Sequence, residues 1–194
     1  MEILVNGVQA VRGVSLLCHP HPLYGGSMDN KVVFTLARAL RDRGYVAVRF
    51  NFRGVGASVG EHDGGVGEMD DAYWLLQLMG TAASGLPVIL AGFSFGAAIA
   101  ARLACRQETA AVVLVAPPVP QYGLHSIRSI PAPVLLLQAD DDDVVDTNAM
   151  NQWWQALSAP EKVLRRWDQG GHFFHGHLPE LKTAVNDFLS LLGC

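Results

Sequence analysis

The segment whose residue types and spacing most directly suggest chemistry is Gly92-Phe93-Ser94-Phe95-Gly96, a serine set between spaced glycines. A serine hydroxyl is a weak nucleophile at neutral pH and needs a base, which in turn needs an acid to orient it. Both types follow downstream. Asp140-Asp141-Asp142-Asp143 is a run of four carboxylates closed by Val144-Val145, and Gly170-Gly171-His172-Phe173-Phe174-His175-Gly176-His177 carries three imidazoles. Four adjacent like charges cannot all be ion-paired cheaply, so the run reads as a loop. One aspartate turns inward, while the others stay solvated or cap the helix that begins near Thr147.

Among the histidines, His172 follows a glycine pair that frees the backbone to bring its ring over a sheet end, and an aromatic pair after it can pack the loop. His175 and His177 read as surface or capping residues. A metal centre is the rival use of His19, His21, His172, His175 and His177, but Pro20 and Pro22 constrain the first pair. Neither an H-E-x-x-H helix nor a Cys/His ligand spacing is present, so no metal and no cofactor are expected.

A serine nucleophile also needs donors for the oxyanion formed in acyl transfer. The Phe95 N–H, at a helix N-terminus next to the serine, is one. The second should come from His19-Pro20-His21-Pro22-Leu23-Tyr24-Gly25-Gly26. Prolines have no N–H, which leaves His21, Leu23 or Tyr24, and Leu23 is favoured because the glycine pair after it lets the chain curl back towards Ser94.

These residues need a frame that presents them together. Short apolar runs recur at Val14–Cys18, Tyr45–Phe50, Pro87–Gly92, Ala110–Ala116, Val134–Gln138 and Lys162–Trp167. They are nearly continuous in hydrophobicity, as strands buried on both faces should be. Helical periodicity fills the intervals at Asn30–Arg43, Val66–Thr81, Phe95–Gln107, Thr147–Leu157 and Pro179–Leu192, with Asp29 as the N-cap of the first and Gly44 as its terminator. Strict alternation of strand and helix predicts a three-layer α/β/α sandwich in one domain, 1–194, around a mostly parallel sheet of about six strands. In such sheets the site lies outside the carboxyl ends of the strands, and the serine, aspartate and histidine segments each follow a strand. Asn51 to Ser58, rich in glycine, reads as a bracing loop in which Arg53 pairs with Asp29 or Glu68.

Composition narrows the function classes. Charged residues make up 16% of the 194, against about 25% in typical soluble domains, so much of the chain must be buried and disorder is excluded. A net charge of −4 with scattered basic residues offers no stripe for a nucleic-acid backbone. No apolar run approaches the roughly 18 residues of a membrane span. The first residues show no export signal, and Cys18, Cys105 and Cys194 form no disulfide framework, so a cytoplasmic location is expected.

With its serine in a strand–turn–helix setting, the chain resembles the α/β-hydrolase superfamily, and within it the small capless serine hydrolases related to dienelactone hydrolase and bacterial carboxylesterases. The matching pieces are His19-Pro20-His21-Pro22 with Gly25-Gly26, Arg53 to Ser58, Gly92 to Gly96, Asp140 to Val145 and Gly171 to Phe174. The resemblance implies Ser94 as nucleophile, His172 as general base and Asp142 as acid, placed two residues before the Val144-Val145 pair. Relatives carry an N-terminal hairpin for which this chain has little length. A sheet trimmed to six parallel strands plus at most one short piece within Ile3–Val11 is therefore expected, with an exposed edge open to homodimer formation.

The implied activity is hydrolysis of small carboxylic esters. Pro117–Pro133 is too short for a lid, so the cleft should be open, with Tyr24, Tyr122 and Phe173 lining an apolar acyl pocket. The same groups could act on thioesters or peptides, and a binding protein without turnover could keep the same fold.

Overall fold

A computed structural model describes residues 1–194. Seven strands form one sheet: β1 (Glu2–Asn6), β2 (Gly13–Cys18), β3 (Tyr45–Asn51), β4 (Val88–Phe93), β5 (Ala111–Val115), β6 (Val134–Ala139) and β7 (Lys162–Trp167). Their order is β1-β3-β2-β4-β5-β6-β7. The six from β2 to β7 are parallel, as expected, and β1 is the one short N-terminal piece, antiparallel to β3 with Glu2 opposite Asn51.

Five helices cover the sheet: α1 (Lys31–Asp42), α2 (Gly67–Ala82), α3 (Phe95–Ala104), α4 (Thr147–Ala156) and α5 (Leu178–Leu191). Because strand side chains alternate, Leu16, Leu90, Leu114 and Leu136 pack with α2, α3 and α4 on one face. Leu17, Ile89, Val113 and Leu135 pack with α1 and α5 on the other. That two-sided burial is why β4, β5 and β6 read as unbroken apolar runs. At the edge, β7 departs from this pattern. Its Arg165 and Arg166 are exposed, as charges on an edge strand commonly are.

Two local expectations change. The α1 N-cap is Asn30, whose Oδ1 accepts from Val32 N–H at 2.9 Å, not Asp29; Asp29 instead faces the buried Arg49 at 3.2 Å. Arg53 pairs with Asp71 through two 2.8 Å hydrogen bonds rather than with Asp29 or Glu68. Asp71, on the first turns of α2, offers both carboxylate oxygens to the guanidinium fork, the stronger arrangement.

Candidate active site

Ser94 sits at the turn from β4 into α3 with φ 54° and ψ −122°. For a residue with a Cβ this backbone costs on the order of 1–3 kcal/mol. The surroundings enforce it: Ser94 N–H donates to Val115 O at 2.8 Å, and a Cβ on Gly92 would strike the Gly96 backbone, while one on Gly96 would strike the Cys18 and His19 carbonyls. Here the glycines serve close approach. The Cys18 thiol behind the turn is fully buried, which pushes its pKa up and keeps it from acting as a thiolate.

Ser94 Oγ lies 3.0 Å from His172 Nε2, and His172 Nδ1 lies 2.9 Å from Asp142 Oδ2. The ring thus donates from Nδ1 to the carboxylate and presents Nε2 to the hydroxyl. Of the five clustered histidines, this one is buried, bonded on both nitrogens and beside the serine. Two of the others go elsewhere: His177 pairs with Glu180, and His19 with the Pro20 carbonyl. No group of three or more His, Cys, Asp or Glu side chains is arranged to hold a metal ion.

Geometry separates the four aspartates. Asp142 Oδ1 accepts from Val144 N–H at 2.9 Å and Val145 N–H at 3.1 Å, while Oδ2 faces His172. Burial is the largest influence on this carboxyl and works against ionisation. The His172 hydrogen bond and charge, together with the two backbone donors, outweigh it and hold the pKa below the ordinary aspartate value. Asp140 pairs with Arg166 on β7. Asp141 accepts from Gly170 N–H at 3.2 Å and Gly171 N–H at 2.8 Å, tying the acid loop to the histidine loop. Asp143 is exposed, and the cap of α4 is Asp146, outside the run expected to supply it.

The loop after β2 folds into a single 3₁₀ turn, Pro22–Tyr24, capped by His21. Here the expectation for Leu23 fails: its N–H donates to the His21 ring Nδ1 at 3.2 Å, and its side chain is 70% exposed. Tyr24 N–H is taken by the His21 carbonyl at 3.2 Å. Of the three candidate amides, His21 N–H is the one with no partner inside the protein, and Phe95 N–H, at the start of α3, also has no backbone acceptor. A capping side chain consumes the donor that glycine freedom seemed to release.

Ser94 and His172 open onto a cleft of about 380 Å³ lined by Pro20, His21, Tyr24, Asn30, Val144 and Phe173 among others. Tyr24 is 87% and Phe173 47% exposed, so they form its rim. Tyr122 does not line it. Instead its ring packs edge-on against Phe95 at 4.8 Å, on a left-handed backbone. Phe174, the second aromatic after His172, is fully buried against Trp167 and anchors the loop. A larger groove of about 560 Å³ between β1 and α2 is lined wholly by apolar residues such as Val5, Val48 and Leu75. It contains no group able to do chemistry.

A match to the family described as "Serine aminopeptidase, S33" covers residues 12–127 of this chain. The chain belongs to that family of α/β serine hydrolases. Among solved structures, the hydrolase is similar to an α/β serine hydrolase homologue from Coxiella burnetii: 41% identity over 96% of this chain and 90% of that one, with a TM-score of 0.90. A Xanthomonas campestris protein described as an α/β serine hydrolase without lid shares 35% identity over 97% and 88% of the two chains, with a TM-score of 0.89. An uncharacterized protein of Rickettsia prowazekii (strain Madrid E) is 38% identical over 91% of this chain and 78% of its own length. No helix of the hydrolase is long and apolar enough to cross a membrane.

The hydrolase also holds polar groups that sequence reasoning missed. His62 Nδ1 lies 2.7 Å from Glu68 Oε1, off the line of a hydrogen bond, and Glu68 is fully buried, accepting from Asp63 N–H at 2.9 Å and Gly65 N–H at 2.8 Å. Gln138, at the end of β6, is fully buried and donates to Asp142. Its signal was available: an amide ending a run of Val134-Leu135-Leu136-Leu137 is out of place in a strand buried on both faces.

Proposed function

We propose that the hydrolase cleaves small carboxylic esters through an acyl-enzyme formed on Ser94. The observation that carries this reading is the unbroken hydrogen-bond chain from Ser94 Oγ through His172 to Asp142. As Ser94 Oγ attacks the ester carbonyl carbon, His172 Nε2 takes its proton and the carbonyl oxygen becomes an oxyanion. Phe95 N–H and His21 N–H, both uncommitted, receive that charge. The imidazolium then gives its proton to the departing alkoxide as the C–O bond breaks. Water, deprotonated in turn by His172, attacks the acyl carbon; the bond to Ser94 Oγ then breaks as His172 returns the proton to that oxygen, releasing the acid. Asp142, ionised, keeps the proton on Nδ1 and stabilises the imidazolium.

The cleft favours this substrate class. Its volume of about 380 Å³ suits a small ligand, and Pro117–Pro133 adds only the short turn Leu124–Ser126 over the sheet end, so access is open. An aminoacyl substrate would bring an α-ammonium. The cleft lining carries no carboxylate to hold one, which favours an ester over the peptide chemistry named in the family description. Parallel assays on p-nitrophenyl acetate, an acyl thioester and an aminoacyl p-nitroanilide test the reading. The ester should be turned over fastest, with fluorophosphonate labelling at Ser94. A faster aminoacyl reaction, or no labelling, overturns it.

A further inference from the structure

Asp142 Oδ2 has a second donor besides His172. Gln138 Nε2 reaches it at 3.1 Å and the Ala139 carbonyl at 3.0 Å. Both neighbours are acceptors, so the amide nitrogen and not the oxygen must face them. That leaves Gln138 Oε1 buried with no partner. A fold that needed only to fill this space would place an apolar side chain here. An orphaned buried acceptor is retained where the other half of the group is useful.

We infer that Gln138 is a positioning residue for Asp142, sharing its Oδ2 with His172 and thereby setting how strongly the carboxylate holds the imidazolium. This rests on the acyl-enzyme reading above. With Val144 and Val145 N–H on Oδ1 and two donors on Oδ2, the carboxylate is locked in orientation. A carboxylate already accepting a hydrogen bond is a weaker base. The Gln138 amide therefore moderates the pull of Asp142 on the His172 proton and lets Nε2 lose and regain its own during turnover. Other titratable groups near the pair are accounted for. Asp140 is held by Arg166, Asp141 by the Gly170 and Gly171 amides, Asp143 is exposed, His21 lines the far side of the cleft, and His175 stands beyond Phe173.

The test compares wild type with Gln138→Met, which keeps the volume and removes the donor, and with Gln138→Glu. In Gln138→Met the acid limb of the kcat/KM profile on p-nitrophenyl acetate should move up by about half a pH unit. The loss should be about threefold at pH 6 and vanish towards pH 9, with KM little changed. Gln138→Glu should add a new ionisation to the profile, because a second carboxylate beside Oδ2 donates only while protonated. A loss that is the same at every pH marks a packing role and overturns the inference, as does an unchanged profile. NMR titration of the His172 ring in Gln138→Met needs no substrate; a midpoint unmoved from wild type also overturns it. Should Gln138→Met fail to fold, the Gln138→Glu profile decides, since without its added ionisation the inference fails. Loss of the ester reaction from the wild type alone would instead fault the substrate reading.

Discussion

Two histidine–carboxylate pairs lie near the cleft, one on Ser94 and one behind the His21 ring, and their differences show what makes such a pair useful. His172 and Asp142 are aligned as a hydrogen bond at 2.9 Å, and the far ring nitrogen meets the Ser94 hydroxyl. His62 and Glu68 are as close, at 2.7 Å, but misaligned. Beside His62 stand the rings of His21 at 4.7 Å and Phe95 at 5.6 Å between centroids. Glu68 spends both oxygens on the Asp63 and Gly65 amides at the entry to α2. The first pair is hydrogen-bonded to a serine hydroxyl on a strained turn, the proposed nucleophile. The second closes a loop and supports the underside of the His21 segment. Proximity of an imidazole and a carboxylate therefore does not define a catalytic unit; what stands on the remaining nitrogen does.

The largest effect should come from cutting the first pair off from the proposed nucleophile. Ser94→Ala should lower kcat on p-nitrophenyl acetate by about 10³- to 10⁶-fold and abolish fluorophosphonate labelling; wild-type turnover in this variant would end the assignment. Next comes Asp142→Asn, expected to cost about 10³- to 10⁴-fold by removing the charge and leaving the wrong ring tautomer. Asp140→Asn and Asp143→Asn should stay near wild type, and Asp141→Ala should lose about 3- to 10-fold as the Gly170-Gly171 turn loosens. Equal small losses at all four aspartates would erase the distinction between them.

Cutting the second pair should act on stability instead. His62→Phe should retain kcat within about threefold, while Glu68→Gln should destabilise by about 1–3 kcal/mol in urea denaturation, since one of its two buried amide donors loses its acceptor. If His62→Phe were as inactive as Asp142→Asn, the comparison would collapse. A third buried imidazole sharpens it further. His19 has no carboxylate at all: Nδ1–H donates to the Pro20 carbonyl at 2.6 Å and Nε2 accepts from Phe52 N–H at 3.0 Å. Burial lowers its pKa to about 4, opposed only by the Pro20 bond. Because the folded value lies below the unfolded value of about 6.5, its contribution is whole above that pH and is lost as pH falls towards 4. The loss is about 3 kcal/mol. Stability measured at pH 7 and pH 4.5 should show a smaller drop in His19→Gln than in wild type; an equal drop would place the acid sensitivity elsewhere.

Much of this arrangement was legible in the chain. Apolar runs alternating with helical stretches marked out β2 to β7 and all five helices, since burial on two faces leaves a strand no room for polar alternation. Gly92 to Gly96 in a strand–turn–helix context marked Ser94, and the glycine pair before it marked His172. Contacts distant in sequence were harder to read. The Leu23 assignment failed because the His21 side chain reaches forward to cap its own turn. Tyr122 failed as a cleft residue because its ring packs against Phe95, a contact between distant positions.

Residue order and hydropathy alone thus determined the layered fold, the strand ends at which chemistry could occur and the segments that carry the serine, aspartate and histidine of the proposed mechanism. Tertiary structure decided which of four adjacent carboxylates faces the histidine, which loop amide is left free for an oxyanion, and that Gln138 stands behind Asp142. Patterning records how much of each side chain is hidden. Hydrogen bonds between residues dozens of positions apart depend on where the folded backbone brings them, and that is set only when the whole sheet is assembled.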